Sequence, residues 1–168
     1  YSIIGPTGSG KSSFINAVTE AETAPVGHEL SPVSATDSIT QHDHTLAGRA
    51  RVRLIDTPGF NNNGGHSSLS PSFQVSNFIL RRYDGNRVLT GIIYLRQIND
   101  QNRSGMRRTA MRLTRELYGF DTMENMIIVT IFWDQLSTLK DGTAAEELLR
   151  SGEGLLKIFQ DGGGKTLR

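Results

Sequence analysis

The chain has no cysteine, which excludes a disulfide framework and any thiolate metal site. A protein without thiols fits a reducing compartment, so a cytoplasmic setting is expected. No apolar stretch approaches the roughly 20 residues that a membrane-spanning helix requires, and no membrane segment is expected. Charge of one sign is lacking as well: 18 basic side chains stand against 17 acidic ones, for a formal +1. The basic residues are scattered rather than gathered into a patch, so no nucleic-acid partner is expected. There is no internal repeat and no basic-then-apolar leader. The sequence opens at Tyr1 inside what reads as a strand and stops at Arg168, where another strand is expected to begin. It is read as one domain, residues 1–168, cut at both ends from something longer. Its final strand and helix are expected to lie past Arg168.

What is present suffices for a core, with 36% hydrophobic residues in 168. Tyr1-Ser2-Ile3-Ile4 reads as the tail of a β-branched strand. A Gly-rich turn follows, and then a helix from Lys11 to about Val18 with Phe14, Ile15 and Val18 on one face. Residues 19–45 are polar and form a long loop with a short strand near its end. Strands are expected at Ala50–Ile55, Val88–Leu95 and Met126–Trp133, and helices at 73–82, 106–118 and 146–159. The Asn-, Gly- and Ser-rich stretch 61–70 reads as a second loop. Strands that alternate with helices imply right-handed crossovers and a mostly parallel sheet covered on both faces: an α/β, three-layer αβα fold. Ligands of such sheets sit beyond the carboxyl ends of the strands.

The turn after the first strand is Gly5-Pro6-Thr7-Gly8-Ser9-Gly10-Lys11-Ser12, which satisfies G-x-x-x-x-G-K-[ST] between a strand and a helix. The residue types follow from the chemistry of phosphate. Glycines let backbone N–H groups curl around an anion and permit positive φ. The helix that begins at Lys11 points its positive end at the same place. Lys11 supplies a cation to the β- and γ-phosphates, and the Ser12 hydroxyl is a Mg²⁺ ligand. Ser13 adjoins this cradle, with its side chain expected to face away. Farther on, Arg53-Leu54-Ile55-Asp56-Thr57-Pro58-Gly59 is an apolar strand broken by Asp. In the same setting Asp56 stands near Mg²⁺, usually through a water, and Gly59 offers its N–H to a γ-phosphate.

Gly5 to Ser13, followed by Asp56-Thr57-Pro58-Gly59-Phe60, resembles the P-loop GTPases (G domains) related to septins, to immune-associated (avirulence-induced) GTPases and to chloroplast outer-envelope translocon receptors. It is especially similar to the G domain-containing proteins abundant in fungi, through Val26-Gly27-His28, Asp56 to Asn61 and Gly91 to Leu95. The resemblance implies GTP/GDP and Mg²⁺ as ligands, and a nucleotide-dependent homodimer as a partner arrangement. It also implies a first-switch threonine that completes the Mg²⁺ shell. Thr36 is the candidate by position, with Ser34 and Thr40 as rivals. The guanine-reading motif at the end of the fifth strand corresponds to Thr130-Ile131-Phe132-Trp133-Asp134. Asp134 would accept hydrogen bonds from guanine N1 and N2, and Phe132 would cover a face of the base. Ile131 and Phe132 stand where the family has Asn and Lys.

Hydrolysis is the open question at this stage. Phe60 occupies the position at which Ras-like GTPases hold a water-orienting glutamine. Lys11, Thr36 and His66 are the candidate catalytic residues, with His28 near the first switch and Arg103 as a group able to reach a neighbouring copy. Three functions fit: a slow Mg²⁺-dependent GTPase switch, a nucleotide-gated interaction module with little turnover, and an ATP-binding relative.

Overall fold

β-Branched and aliphatic residues decide the centre of the sheet. The computed structural model describes residues 1–26, 39–48, 50–59, 77–78, 89–99, 124–150 and 161–168. Within them Ser2–Ile4 forms β1, Thr40–Thr45 β2, Arg51–Asp56 β3, Ile92–Gln97 β4, Met126–Ile131 β5 and Lys165–Leu167 β6. The six strands form one sheet in the order β2-β3-β1-β4-β5-β6. β2 runs antiparallel to β3, and all other pairings are parallel. β1 is thus central. Its successors depart to either side of it, and the crevice above such a switch point is where an α/β sheet binds ligands.

Helix α1, Lys11–Thr19, follows the Gly-rich turn as expected. Ile15 is fully buried, and Phe14 and Val18 pack against a core cluster of Ile3, Ile15, Ala24, Leu54 and Leu95. Asn16 anchors the chain after the helix: its side-chain amide donates to Ala24 O at 2.9 Å, and Ala24 N–H donates to Asn16 Oδ1 at 2.7 Å. Helix α2 spans Leu139–Arg150. Among the described residues no helix is long and apolar enough to cross a membrane. The helices expected at 106–118 and, past Arg150, at 151–159 lie outside the described residues. Of 73–82 only Asn77 and Phe78 are described, and both are helical.

Several boundaries differ from expectation, some for local reasons and some through strand pairing. β4 starts at Ile92 rather than Val88, and the Gly91 carbonyl makes the first rung of the β1–β4 ladder by accepting Ser2 N–H at 3.1 Å. It runs on to Gln97 because Arg96 and Gln97, though polar, stay in register with Thr130 and Ile131. β5 stops at Ile131, since Phe132 turns the chain at φ 62° and Trp133–Gln135 forms a 3₁₀ turn. α2 begins at Leu139 rather than Glu146. Thr138 caps it: Asp141 N–H donates to Thr138 Oγ1 at 3.3 Å and Thr138 Oγ1 donates to Asp141 Oδ2 at 2.9 Å. The largest correction concerns the last strand. It was expected past Arg168, yet Lys165–Leu167 pairs with β5 in the register Ile127↔Lys165 to Val129↔Leu167.

Gly91 is where three segments close on one another. A Cβ there would lie 2.4 Å from Asn125 O and 2.9 Å from Tyr1 Cε1. A backbone oxygen at that distance cannot step aside cheaply. Gly91→Ala is therefore expected to destabilise the fold by about 1–3 kcal/mol, read as a lowered thermal midpoint; an unchanged midpoint would contradict this packing.

Candidate functional site

The loop between β1 and α1 is shaped by the conformations its glycines allow. Gly8 and Gly10 adopt φ 77° and 67°, a region that other residues rarely enter. Gly10 caps α1 without any side-chain hydrogen bond, so the first N–H groups of the helix face the loop. Ser9 is buried beneath the loop, its N–H donating to Pro6 O at 3.1 Å. Ser13 lies exposed on α1, facing away from the loop interior occupied by Lys11.

Lys11 is 7% exposed. Its Nζ donates to Gly5 O at 3.2 Å and to Pro6 O at 2.9 Å, so the ammonium is folded back over the loop. Burial lowers its pKa to about 8, with the charge of nearby Asp56 acting the other way. Two neutral carbonyls are weak compensation for a desolvated ammonium; a polyanion is a far better partner.

Asp56 arrives beside this lysine through strand register. β1 and β3 pair with Ile3 opposite Asp56, which carries the end of β3 to the mouth of the loop. Its Oδ2 accepts the Ser12 hydroxyl at 2.8 Å. Its Oδ1 is buried and has no hydrogen-bond partner among the described residues. Burial raises the pKa of Asp56, opposed by the Ser12 hydrogen bond, by Lys11 and His42, and by Thr57 N–H. A buried carboxylate oxygen without a donor suits a cation, and with the Ser12 oxygen beside it the pair fits Mg²⁺. That ion keeps several waters and phosphate oxygens in its shell and needs few protein ligands. No group of three or more acidic or histidine side chains able to hold a metal occurs among the described residues.

Past Asp56 the chain is pinned against the loop. Thr57 Oγ1 donates to Ile3 O at 2.7 Å, inside the protein. Gly59 then passes so close to Thr7 that a Cβ would lie 2.5 Å from Thr7 Cα and 2.6 Å from Thr7 N. Only glycine fits between the second switch and the phosphate loop. From the other side of the crevice, Gln97 Nε2 donates to Gly8 O at 3.0 Å. Sequence reasoning overlooked Thr57 and Gln97. The signal for Gln97 was a polar residue at the carboxyl end of a central strand, obscured by ending that strand at Leu95.

The expected base-reading segment also reaches the site. Ile131 Cδ1 and Phe132 Cζ lie 3.5 and 3.8 Å from the position a Cβ would take on Gly10, so the end of β5 abuts the loop. Asp134 is exposed in the 3₁₀ turn that follows. Thr40, a rival for the first-switch role, pairs with Asp56 across β2 and β3, and its hydroxyl is 2.9 Å from His42 Nε2. Thr36, Ser34, His28, Phe60, His66 and Arg103 lie outside the described residues. The structure thus brings together Gly5 to Ser12, Asp56, Gly59 and Phe132.

Comparison with known proteins accords with this geometry. A dimerisation-deficient variant of Toc33 from Arabidopsis thaliana superposes with a TM-score of 0.71 at 16% identity, over 98% of this chain and 67% of that one. Toc33 in complex with GDP and Mg²⁺ gives 0.68 at 16% identity, over 99% and 68%. Era from Aquifex aeolicus, bound to GDP and AlF₄⁻, gives 0.66 at 13% identity, over 99% and 49%. The chain therefore spans about two thirds of the length of Toc33 and half that of Era, and likeness at such identity shows the fold. No curated protein sequence matches significantly. The family model of the 50S ribosome-binding GTPases matches residues 1–129, most of the chain and all of the phosphate loop, and the protein belongs to that GTPase family.

Proposed function

We propose that this domain binds GTP and GDP with Mg²⁺ and works as a nucleotide-dependent switch that hydrolyses GTP slowly. The observation that carries the reading is the Ser12–Asp56 contact of 2.8 Å beside buried Lys11, with Asp56 Oδ1 left without a partner among the described residues. A Mg²⁺–phosphate ligand would satisfy the buried charges of Lys11 and Asp56, and Ser12 lies beside them. Within the family, Asp56 to Phe60 and Gly91 to Leu95 support a place near the septin-like and immune-associated branches.

The residues divide the work as follows. The N–H groups of Gly8 to Ser12 hold the phosphates, and Lys11 leaves its two carbonyl partners to meet the β- and γ-oxygens. Ser12 and Asp56 would hold Mg²⁺. When bound, the ion neutralises charge on those oxygens. Gly59, wedged on Thr7, senses the γ-phosphate and relays its presence to the chain that follows. Phe132 covers the base, and Asp134 accepts from guanine N1 and N2, which adenine does not match.

A second reading is a nucleotide-gated dimerisation module with little turnover. Phe60 favours it, since that side chain cannot orient a water. For the chloroplast translocon components atToc33 and psToc159, dimerisation is important for GTPase activity, and a second copy is the natural source of a missing catalytic group here. The near-neutral charge gave reason to expect no nucleic-acid partner. Era, of similar fold, binds a segment of 16S ribosomal RNA, so RNA stays among the partners to be tested.

Lys11→Ala is expected to abolish nucleotide binding by calorimetry; retained affinity would contradict the assignment of the loop. Asp56→Asn should remove the gain in affinity that Mg²⁺ provides while leaving affinity in EDTA unchanged, and an equal loss in both conditions would show that Asp56 does not serve the ion. In competition, GTP should resist displacement by an equal concentration of ATP; displacement would overturn the role given to Asp134. Turnover should rise with protein concentration, whereas near-zero rates at every concentration would favour the module over the enzyme.

A further inference from the structure

Trp133 is the sole tryptophan of the chain, and it sits between Phe132 and Asp134 in the turn assigned above to the base. Its indole is held from three directions. The ring Nε1–H donates to Thr130 O and to Thr130 Oγ1, both at 3.1 Å. The backbone of α2 presses on its six-membered ring, where a Cβ on Gly142 would lie 2.5 Å from Trp133 Cζ3 and 2.9 Å from Cε3. The Arg168 guanidinium covers the ring with Cζ 4.7 Å from the centroid, a cation–π distance.

Arg168 is itself fixed. Its Nε donates to Glu146 Oε2 at 2.9 Å, and its Nη2 donates to the same oxygen. The Glu146 side chain is 5% exposed and that of Arg168 57%. Thr130 Oγ1 also donates to Leu167 O at 3.2 Å, which fastens the residue before Arg168 to β5. A buried carboxylate on α2, a guanidinium after β6 and an indole after β5 thus form one stack. The turn it steadies contains Phe132 at φ 62°, a conformation that costs a non-glycine residue energy and persists only where surroundings impose it.

We propose that Arg168, braced by Glu146 and stacked on Trp133, is a positioning residue for base recognition: it sets the pose of Phe132 and Asp134, and so selects the base without touching the phosphates. The inference rests on the base-site reading above. It predicts a split between base-dependent and phosphate-dependent binding, because the brace lies on the β5–β6 side of the sheet while Lys11, Ser12 and Asp56 are held by β1, β3 and α1.

The test measures GDP, ADP and Mg²⁺–pyrophosphate affinities by calorimetry for the chain and for Arg168→Ala, Arg168→Lys and Glu146→Gln. Arg168→Ala is expected to lower the GDP-over-ADP preference by about fivefold or more, as loss of a partly buried stack and ion pair allows. Pyrophosphate affinity should stay unchanged. Arg168→Lys should fall between, since it keeps the charge and loses the planar stack. Trp133 emission should shift to the red in Arg168→Ala as the indole is uncovered. An unaltered preference in Arg168→Ala, or equal losses for all three ligands, overturns the inference while the base reading stands. A wild-type chain with no preference for GDP overturns both.

Discussion

Two charges taken out of water beside one another set the terms for the rest of the structure. Lys11 and Asp56 are buried at the carboxyl end of the central strands, where among the described residues neither forms the ion pair that best offsets a buried charge. The lysine responds by leaning on two carbonyls and by a lowered pKa. The aspartate responds with a raised pKa and with one oxygen that has no donor among the described residues. Such a pair is costly in the free protein and is relieved by a ligand that presents both anion and cation, as a Mg²⁺–nucleotide does. Sheet order is what makes the arrangement affordable: β1 at the centre delivers the loop, and its parallel partner β3 delivers the carboxylate.

Around that pair the neighbouring segments act as stops. Thr57 ties the second switch to β1, Gly59 wedges it on Thr7, and Gln97 holds Gly8 from the opposite strand. Phosphate binding therefore bears directly on backbone that leads into the following segment, which is the mechanical requirement of a switch. On the far side, Trp133 stacks with Arg168, which Glu146 holds, beside the turn proposed to face the base. In the proposed site, phosphate and base would be gripped by separate parts of one sheet, which meet where Ile131 and Phe132 approach Gly10.

Much of the site was legible in the sequence because its chemistry is local. Gly5 to Ser12 needs specific residues at fixed spacing, and Asp56 ends an apolar strand visibly. The α/β class followed from alternation, and the buried face of α1 from Phe14, Ile15 and Val18. Part of what was missed depended on contacts distant in the chain and part on local caps and turns. β6 is three residues long with one intermediate and two exposed positions, so no periodicity announces it, and only pairing with β5 makes it a strand. The start of α2 is polar and contains Gly142, a poor helix former, and the helix is secured there by the Thr138 cap and by packing of Gly142 on Trp133. Phe132 reads as one more apolar strand residue, although it is the one that ends β5.

The most direct test of the account is the proton balance of nucleotide binding. Calorimetry of GDP binding in EDTA at pH 8.5, in buffers of differing ionisation enthalpy, isolates Lys11 from the metal. If burial holds its pKa at about 8 in the free protein and phosphate restores the charge, binding should take up a measurable fraction of a proton. Tight binding with no proton uptake would show that Lys11 is already fully charged before the phosphate arrives, and would contradict the poised pair on which the mechanism depends.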